Sequence, residues 1–157
     1  MSAIIGTLRR MSDFDFLVGG WTVANRKHTA PLTGTDDWDE FPATMSAHSF
    51  FGGAGSFDEI HFPTKGWSGC SFRTYDPAQA RWTIHWVNSR DGLLQPPVIG
   101  SFNGGVGTFY GEDLHDGQPI NVRYLWSRIT PTAARWEQAF ARPGQDWETN
   151  WVMEFSR

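Results

Sequence analysis

A single cysteine, Cys70, in 157 residues closes no intrachain disulfide, and with no C-x-x-C pair or Cys/His cluster the sequence offers no zinc site. Nowhere do about 18 apolar residues run together, so no membrane-spanning helix is expected. The opening MSAIIGTLRRMSDFDF has two arginines but no apolar stretch of signal-peptide length, which points to a cytoplasmic protein without a membrane partner. Charge of either sign is sparse: 19% of residues are charged and the net charge is −4, which leaves no electrostatic footprint for a phosphate backbone and no nucleic-acid partner. Chemical motifs are missing too. There is no G-x-S-x-G, no H-E-x-x-H, no P-loop and no G-x-G-x-x-G after a strand, and Gly104-Gly105-Val106-Gly107 has no helix behind it to present amides to a phosphate. Cys70 has no base partner in the pattern. A hydrolase with a covalent nucleophile, a kinase and a nicotinamide enzyme are therefore disfavoured, and neither a metal nor a cofactor is expected.

What the chain does have is aromatic surface. Nine Trp and 12 Phe, within a 39% hydrophobic composition, supply enough apolar area to offset the entropy of ordering one domain. Residues 1–10 read as a loosely ordered leader, and residues 11–157 as a single domain.

Helical periodicity is confined to one place. Ser12 followed by Asp15 resembles a capping box, and Gly19 and Gly20 stop the turn after less than two turns of helix. From there the sequence alternates or runs aromatic between clusters of Gly, Pro, Asn and Asp. The strands expected are 21–29, 38–50, 57–62, 68–75, 81–88, 98–102, 106–111, 119–127, 133–141 and 147–155. Tight turns join most of them, and parallel pairing would need connections of a dozen or more residues, so the fold class is all-β and antiparallel. A closed up-and-down barrel of about ten strands is preferred over a sandwich because closure removes both edge strands. Pro42 is expected to mark a bend or bulge in the long second strand.

Side-chain period separates the two walls. In 81–88 the even positions Trp82, Ile84 and Trp86 should face in, against Arg81, Thr83 and His85 outside. The same reasoning turns Val122, Tyr124 and Trp126 inward, with Trp147, Thr149, Trp151, Met153 and Phe155 from the last strand. Trp136 and Phe140 carry Gln138 in with them, and Ile60 and Phe62 carry Asp58. The polar members of the inner wall would be Asp58, Asn88, Tyr124, Gln138 and Thr149.

The segment Phe14-Asp15-Phe16-Leu17-Val18-Gly19-Gly20-Trp21 resembles the opening of lipocalin-like (calycin) barrels, in which a helical turn leads through glycine to a tryptophan that plugs one barrel end. YDPAQARWTIHWVNSRDG, LQPPVIGSF, FYGEDLHDGQP and RWEQAF…DWETNWVMEF extend the likeness, over most of residues 11–157, to an uncharacterised group of bacterial lipocalin-like domains. That resemblance implies a calycin barrel and carries no established activity. The chain lacks the disulfides and secretory signal of odorant or retinoid carriers. It resembles haem-binding nitrobindin-like barrels at the opening motif only, since none of the five histidines falls on a clearly inward position.

The candidate ligand-binding residues are Trp21, Trp86, Asn88, Arg90, Tyr124, Trp126, Gln138 and Trp151; Trp136 belongs to the same inner aromatic set, which either cages a ligand or fills the barrel. Asp58 is the candidate catalytic residue, since a carboxylate in a dry cavity has a raised pKa. Its alternative is a solvated strand end, or a pair with Arg73 or Arg123. Asn88-Ser89-Arg90-Asp91-Gly92, followed by Leu93, Leu94, Pro96 and Pro97, reads either as a lid that recognises a carboxylate or carbonyl or as a stiff polar turn. His61 and His85 fall outside, and His28, His48 and His115 near strand ends; His48, Glu59 and His61 could form a surface cluster. Arg123 beside Glu137 reads as a cross-strand ion pair. Three functions follow. The first is a binding protein for a small hydrophobic or aromatic molecule, its polar end oriented by Asn88, Tyr124 and Gln138. The second is a cofactor-independent isomerase, cyclase or hydratase using Asp58 as general acid or base, with Tyr124 or Gln138 on the developing oxyanion. The third is a filled barrel for protein contacts, such as a homodimer through an exposed strand or the His85 face.

Overall fold

The computed structural model describes residues 12–157, so the expected leader at 1–10 lies outside the described residues. Ten strands follow a 3-10 turn at Asp15–Leu17: β1 (Gly19–His28), β2 (Trp38–Phe50), β3 (Gly55–Phe62), β4 (Trp67–Asp76), β5 (Arg81–Asn88), β6 (Val98–Asn103), β7 (Val106–His115), β8 (Gln118–Ser127), β9 (Ala133–Ala141) and β10 (Glu148–Ser156). Every strand pairs antiparallel with its chain neighbours, and β1 pairs with β10, which closes the barrel. Closure leaves no edge with unpaired backbone groups along its seam.

The alternation read from the sequence sets the register. Trp82, Ile84 and Trp86 oppose Tyr75, Arg73 and Ser71 of β4, so both strands turn these residues inward. Pro42 introduces no bulge. It pairs with Ala24 in an unbroken β1–β2 register, in the part of β2 that runs past the β2–β3 pairing, which begins only at Thr44. A proline without an amide donor is tolerated there because no second neighbouring strand needs it.

The two barrel ends differ. At the end where β1 begins, the 3-10 turn inserts Phe14 and Leu17 as a plug beneath Trp82, Phe102, Phe109 and Trp126, with all but Phe102 fully buried. The chain terminus secures it: the Arg157 guanidinium donates to the Val18 and Phe16 carbonyls at 2.6 and 3.0 Å and lies 3.9 Å over the Trp21 ring. Gly19, at φ +111°, makes the left-handed step from turn to strand that a side chain would strain. The opposite end is wider, bounded by the 89–97 connection and by Trp67 at the start of β4.

Candidate functional site

Above the plug, the inner wall encloses a chamber of about 50 Å³, room for a few water molecules or a small part of a ligand. Its polar floor is unusual for such an aromatic wall. Asp58 of β3 and Arg73 of β4 are both almost fully buried and form an ion pair, while Arg73 also donates to the Ser56 hydroxyl at 3.1 Å and lies 4.9 Å over the Phe14 ring. Burial pushes the Asp58 carboxyl above its usual range, against the opposing pull of Arg73 and the Ser71 amide. Trp126, Trp136, Trp151 and Met153 form the apolar sides.

A second chamber of about 260 Å³ opens at the wide end. It shares Trp86, Tyr124, Gln138 and Trp151 with the inner one. Two devices fix these shared side chains: the Trp151 indole donates to Asn25 Oδ1 at 3.0 Å, and the Gln138 amide donates to Asn150 Oδ1 at 2.8 Å. The Tyr124 ring packs edge-on to Trp136, and its hydroxyl has no hydrogen-bond partner among the described residues, so it is available to a ligand. Burial, reinforced by Asp113, raises the phenol above its ordinary value, which keeps Tyr124 a protonated donor.

Of the expected residues, Trp86, Tyr124, Gln138 and Trp151 line both chambers, Trp126 and Asp58 the inner one, and Asn88 and Arg90 the mouth. The Asn88 carbonyl oxygen already accepts the Arg90 amide at 3.0 Å, which leaves only its NH₂ group for a ligand. Trp21 lines neither chamber. It belongs to the closed end, where its indole donates to the Leu17 carbonyl at 2.8 Å and its edge meets Phe155.

The facing of β10 needs correction at its start. The β9–β10 register shifts between Thr149 and Trp151, so Asn150 is an extra residue and the inward set changes phase across it. Trp151, Met153 and Phe155 face in as expected. Thr149 opposes Ala139 on the outer wall, and Trp147 stands outside the strand against Tyr110, with Arg123 5.1 Å over its ring. Asn150 is buried instead. The Arg123–Glu137 pair does not form either: Glu137 and Glu154 both meet Arg135, at 3.5 and 3.0 Å.

Several site residues escaped the sequence reading. Lys27 reaches the mouth, where its ammonium lies 4.3 Å from the Trp151 ring and 5.8 Å from the Trp67 ring. The alternation that turns Trp21 and Val23 inward also turns in Asn25 and Lys27, and on β4 it turns in Gly69, Ser71 and Arg73. Gly69 has a specific task. A Cβ there would fall 2.0 Å from the Trp86 ring, so the glycine is the seat of that indole. Gly69→Ala is expected to force Trp86 out of place at a cost of about 1–3 kcal/mol, with an altered near-UV circular dichroism spectrum. An unchanged spectrum and unchanged unfolding would show that Trp86 does not rest there.

No histidine lines either chamber. On the outer wall His61 Nδ1 and the Ser68 hydroxyl are 2.7 Å apart, and His61 Nε2 lies 2.9 Å from Glu59. This nucleophile, base and acid sequence has no concavity over it, since all three side chains stand on the convex face of a sheet. His48 stacks on Phe57 and does not join it. Cys70, the cross-strand neighbour of Glu59, has its thiol pushed up by burial and by Glu59 and Asp58, the reverse of an activated nucleophile. Among the described residues no group of three His, Cys, Asp or Glu side chains is placed to hold a metal, and no helix is long and apolar enough to cross a membrane.

No family model matches the chain, and no curated protein is similar to it in sequence. Solved structures are similar in fold. Rv2717c from M. tuberculosis matches with a TM-score of 0.59 at 12% identity, over 96% of each chain. A protein of unknown function from the DUF3598 family of Nostoc punctiforme matches with a TM-score of 0.57 at 10% identity, over 92% of this chain. This chain spans 48% of the Nostoc protein's length. At such identities the likeness extends to the fold, and the chain is a closed ten-stranded antiparallel barrel with buried aromatic clusters, compatible with a lipocalin-like architecture.

Proposed function

We propose that the protein binds a small hydrophobic or aromatic molecule in the open half of its barrel. The observation that carries this reading is the adjacency of two chambers sharing Trp86, Tyr124, Gln138 and Trp151. An apolar body laid against those indoles stays within reach of the Tyr124 hydroxyl, the free Gln138 carbonyl oxygen and the Asn88 amide. Concave, mostly apolar pockets with a few convergent polar groups are the usual form of small-molecule sites.

Catalysis by Asp58 has weaker support. Its carboxylate is already committed to Arg73, so withdrawing a proton from a substrate would mean breaking a buried ion pair. A wholly filled barrel has support only at the plugged end.

The test is a thermal-shift screen of aromatic and hydrophobic acids, alcohols and amides, with mass spectrometry of whatever co-purifies. A ligand at 100 times its Kd should add about 2.7 kcal/mol to folding stability. Tyr124→Phe should weaken a ligand with a polar end roughly 2- to 10-fold, the worth of one hydrogen bond. No ligand-dependent stabilisation and no co-purifying compound would move the function to protein contacts, beginning with self-association.

A further inference from the structure

We infer that the mouth holds an anionic head group, so that the ligand is an amphipathic carboxylate clasped between Lys27 and Arg90 over the ring of Trp67. This rests on the binding function proposed above and specifies which end of the ligand faces out.

The geometry is that of two cations without a counterion. The Arg90 guanidinium lies 3.9 Å from the Trp67 ring centre and the Lys27 ammonium 5.8 Å from it, with Lys27 also 4.3 Å from Trp151. Among the described residues neither forms an ion pair or donates a side-chain hydrogen bond; Lys65 pairs with Asp39 and Arg135 with Glu154, while Arg26, Arg81 and Arg123 form no ion pair but do not line the chamber. Three acids line the same chamber: Asp91 and Asp113 accept the amides of Leu93 and Leu114 at 2.9 and 2.7 Å, and Glu112, like them, forms no ion pair with Lys27 or Arg90.

The field at Lys27 has the same sign. Burial, Arg90 and Lys65 all pull its pKa below the ordinary lysine value, as expected of a part-buried ammonium that lacks an anion. A half-buried ammonium and an exposed guanidinium on an aromatic base suit a planar carboxylate: the guanidinium supplies paired N–H donors and the ammonium a point charge. Trp151 touches Lys27 and also lines both chambers, so an acid held here has its apolar part directed onto the shared indoles.

The experiment compares naphthalene-2-acetate with naphthalene-2-acetamide by isothermal titration calorimetry, in the full chain and in Lys27→Met and Arg90→Gln. The acid is expected to bind at least tenfold tighter than the amide. Each substitution should cost the acid about tenfold and leave the amide within twofold, and added salt should weaken only the acid. Amide binding that equals or exceeds acid binding, or acid binding indifferent to both substitutions, would overturn the anion site while leaving the hydrophobic pocket intact. If neither compound binds at millimolar concentration, the pocket reading fails along with it.

Discussion

Arg73→Met is expected to cost about 3–5 kcal/mol of folding stability at neutral pH, because it strands the Asp58 carboxylate in the barrel with one partner removed. The cost should depend on pH with a definite sign. Burial already raises Asp58, and Arg73 is the main opposing influence; without it the carboxyl rises further. The native state then keeps a proton at pH values where the unfolded chain, with an Asp pKa near 3.9, has released it. Stability from that proton is fully present below the unfolded pKa and is lost as pH rises through the folded one. Urea unfolding followed by tryptophan fluorescence should therefore show a smaller deficit at pH 4 than at pH 7. Adding Asp58→Leu to Arg73→Met should recover most of the lost stability and remove the pH dependence, since well-packed apolar groups often replace a buried pair at no cost. A deficit that is equal at both pH values and not repaired by the second substitution would mean that Arg73 contributes mainly by packing over Phe14.

The contrast between Asp58 and Arg73 shows where sequence reasoning reached and where it stopped. The strand pattern was legible because alternation is local: Trp82, Ile84 and Trp86 against Arg81, Thr83 and His85 admits one facing, and the structure has it. Asp58 was placed inward by the same logic and is buried. Arg73 was one of two partners the sequence offered for Asp58, and it is the one that pairs; choosing it over Arg123 depends on register between strands, which local pattern does not contain. Lys27 was not foreseen, because a charged residue on an inward position is rarely expected to stay there. The β10 bulge was illegible for a different reason: Trp147, Thr149 and Trp151 form an unbroken period of two, and only the pairing with β9 reveals that Asn150 is an extra residue. β7 runs on to His115, past the expected end at Gly111, because its β8 partner continues, even though Glu112, Asp113 and Leu114 carry no inward apolar pattern. The chambers themselves depend on side-chain volumes summed across strands, and composition alone could not separate a hollow barrel from a filled one.

Trp82→Ala is the other substitution expected to have a large effect, and it tests whether the two barrel ends have separate tasks. Trp82 is fully buried, packs edge-on against Phe14 at 4.8 Å and tilted against Tyr75 at 5.3 Å, and donates its indole N–H to Asp13 at 3.1 Å. Truncation removes one of the tryptophans of the plugged end, where the covering 3-10 turn is held by Arg157 and cannot readily collapse inward. The expected loss is about 3–5 kcal/mol, a fall in Tm of roughly 6–20 °C for a domain of this size. The vacated space is bordered by Phe14 and Tyr75 with the Asp13 carboxylate at its edge, so it should accept indole, whose N–H can take up the Asp13 contact, and added indole should restore part of the Tm. Affinity at the open end should change less than twofold, because Trp82 lines neither chamber. A loss of binding as large as the loss of stability would show that the plug and the mouth act as one unit, and would make the 3-10 turn part of the binding site as well as of the fold.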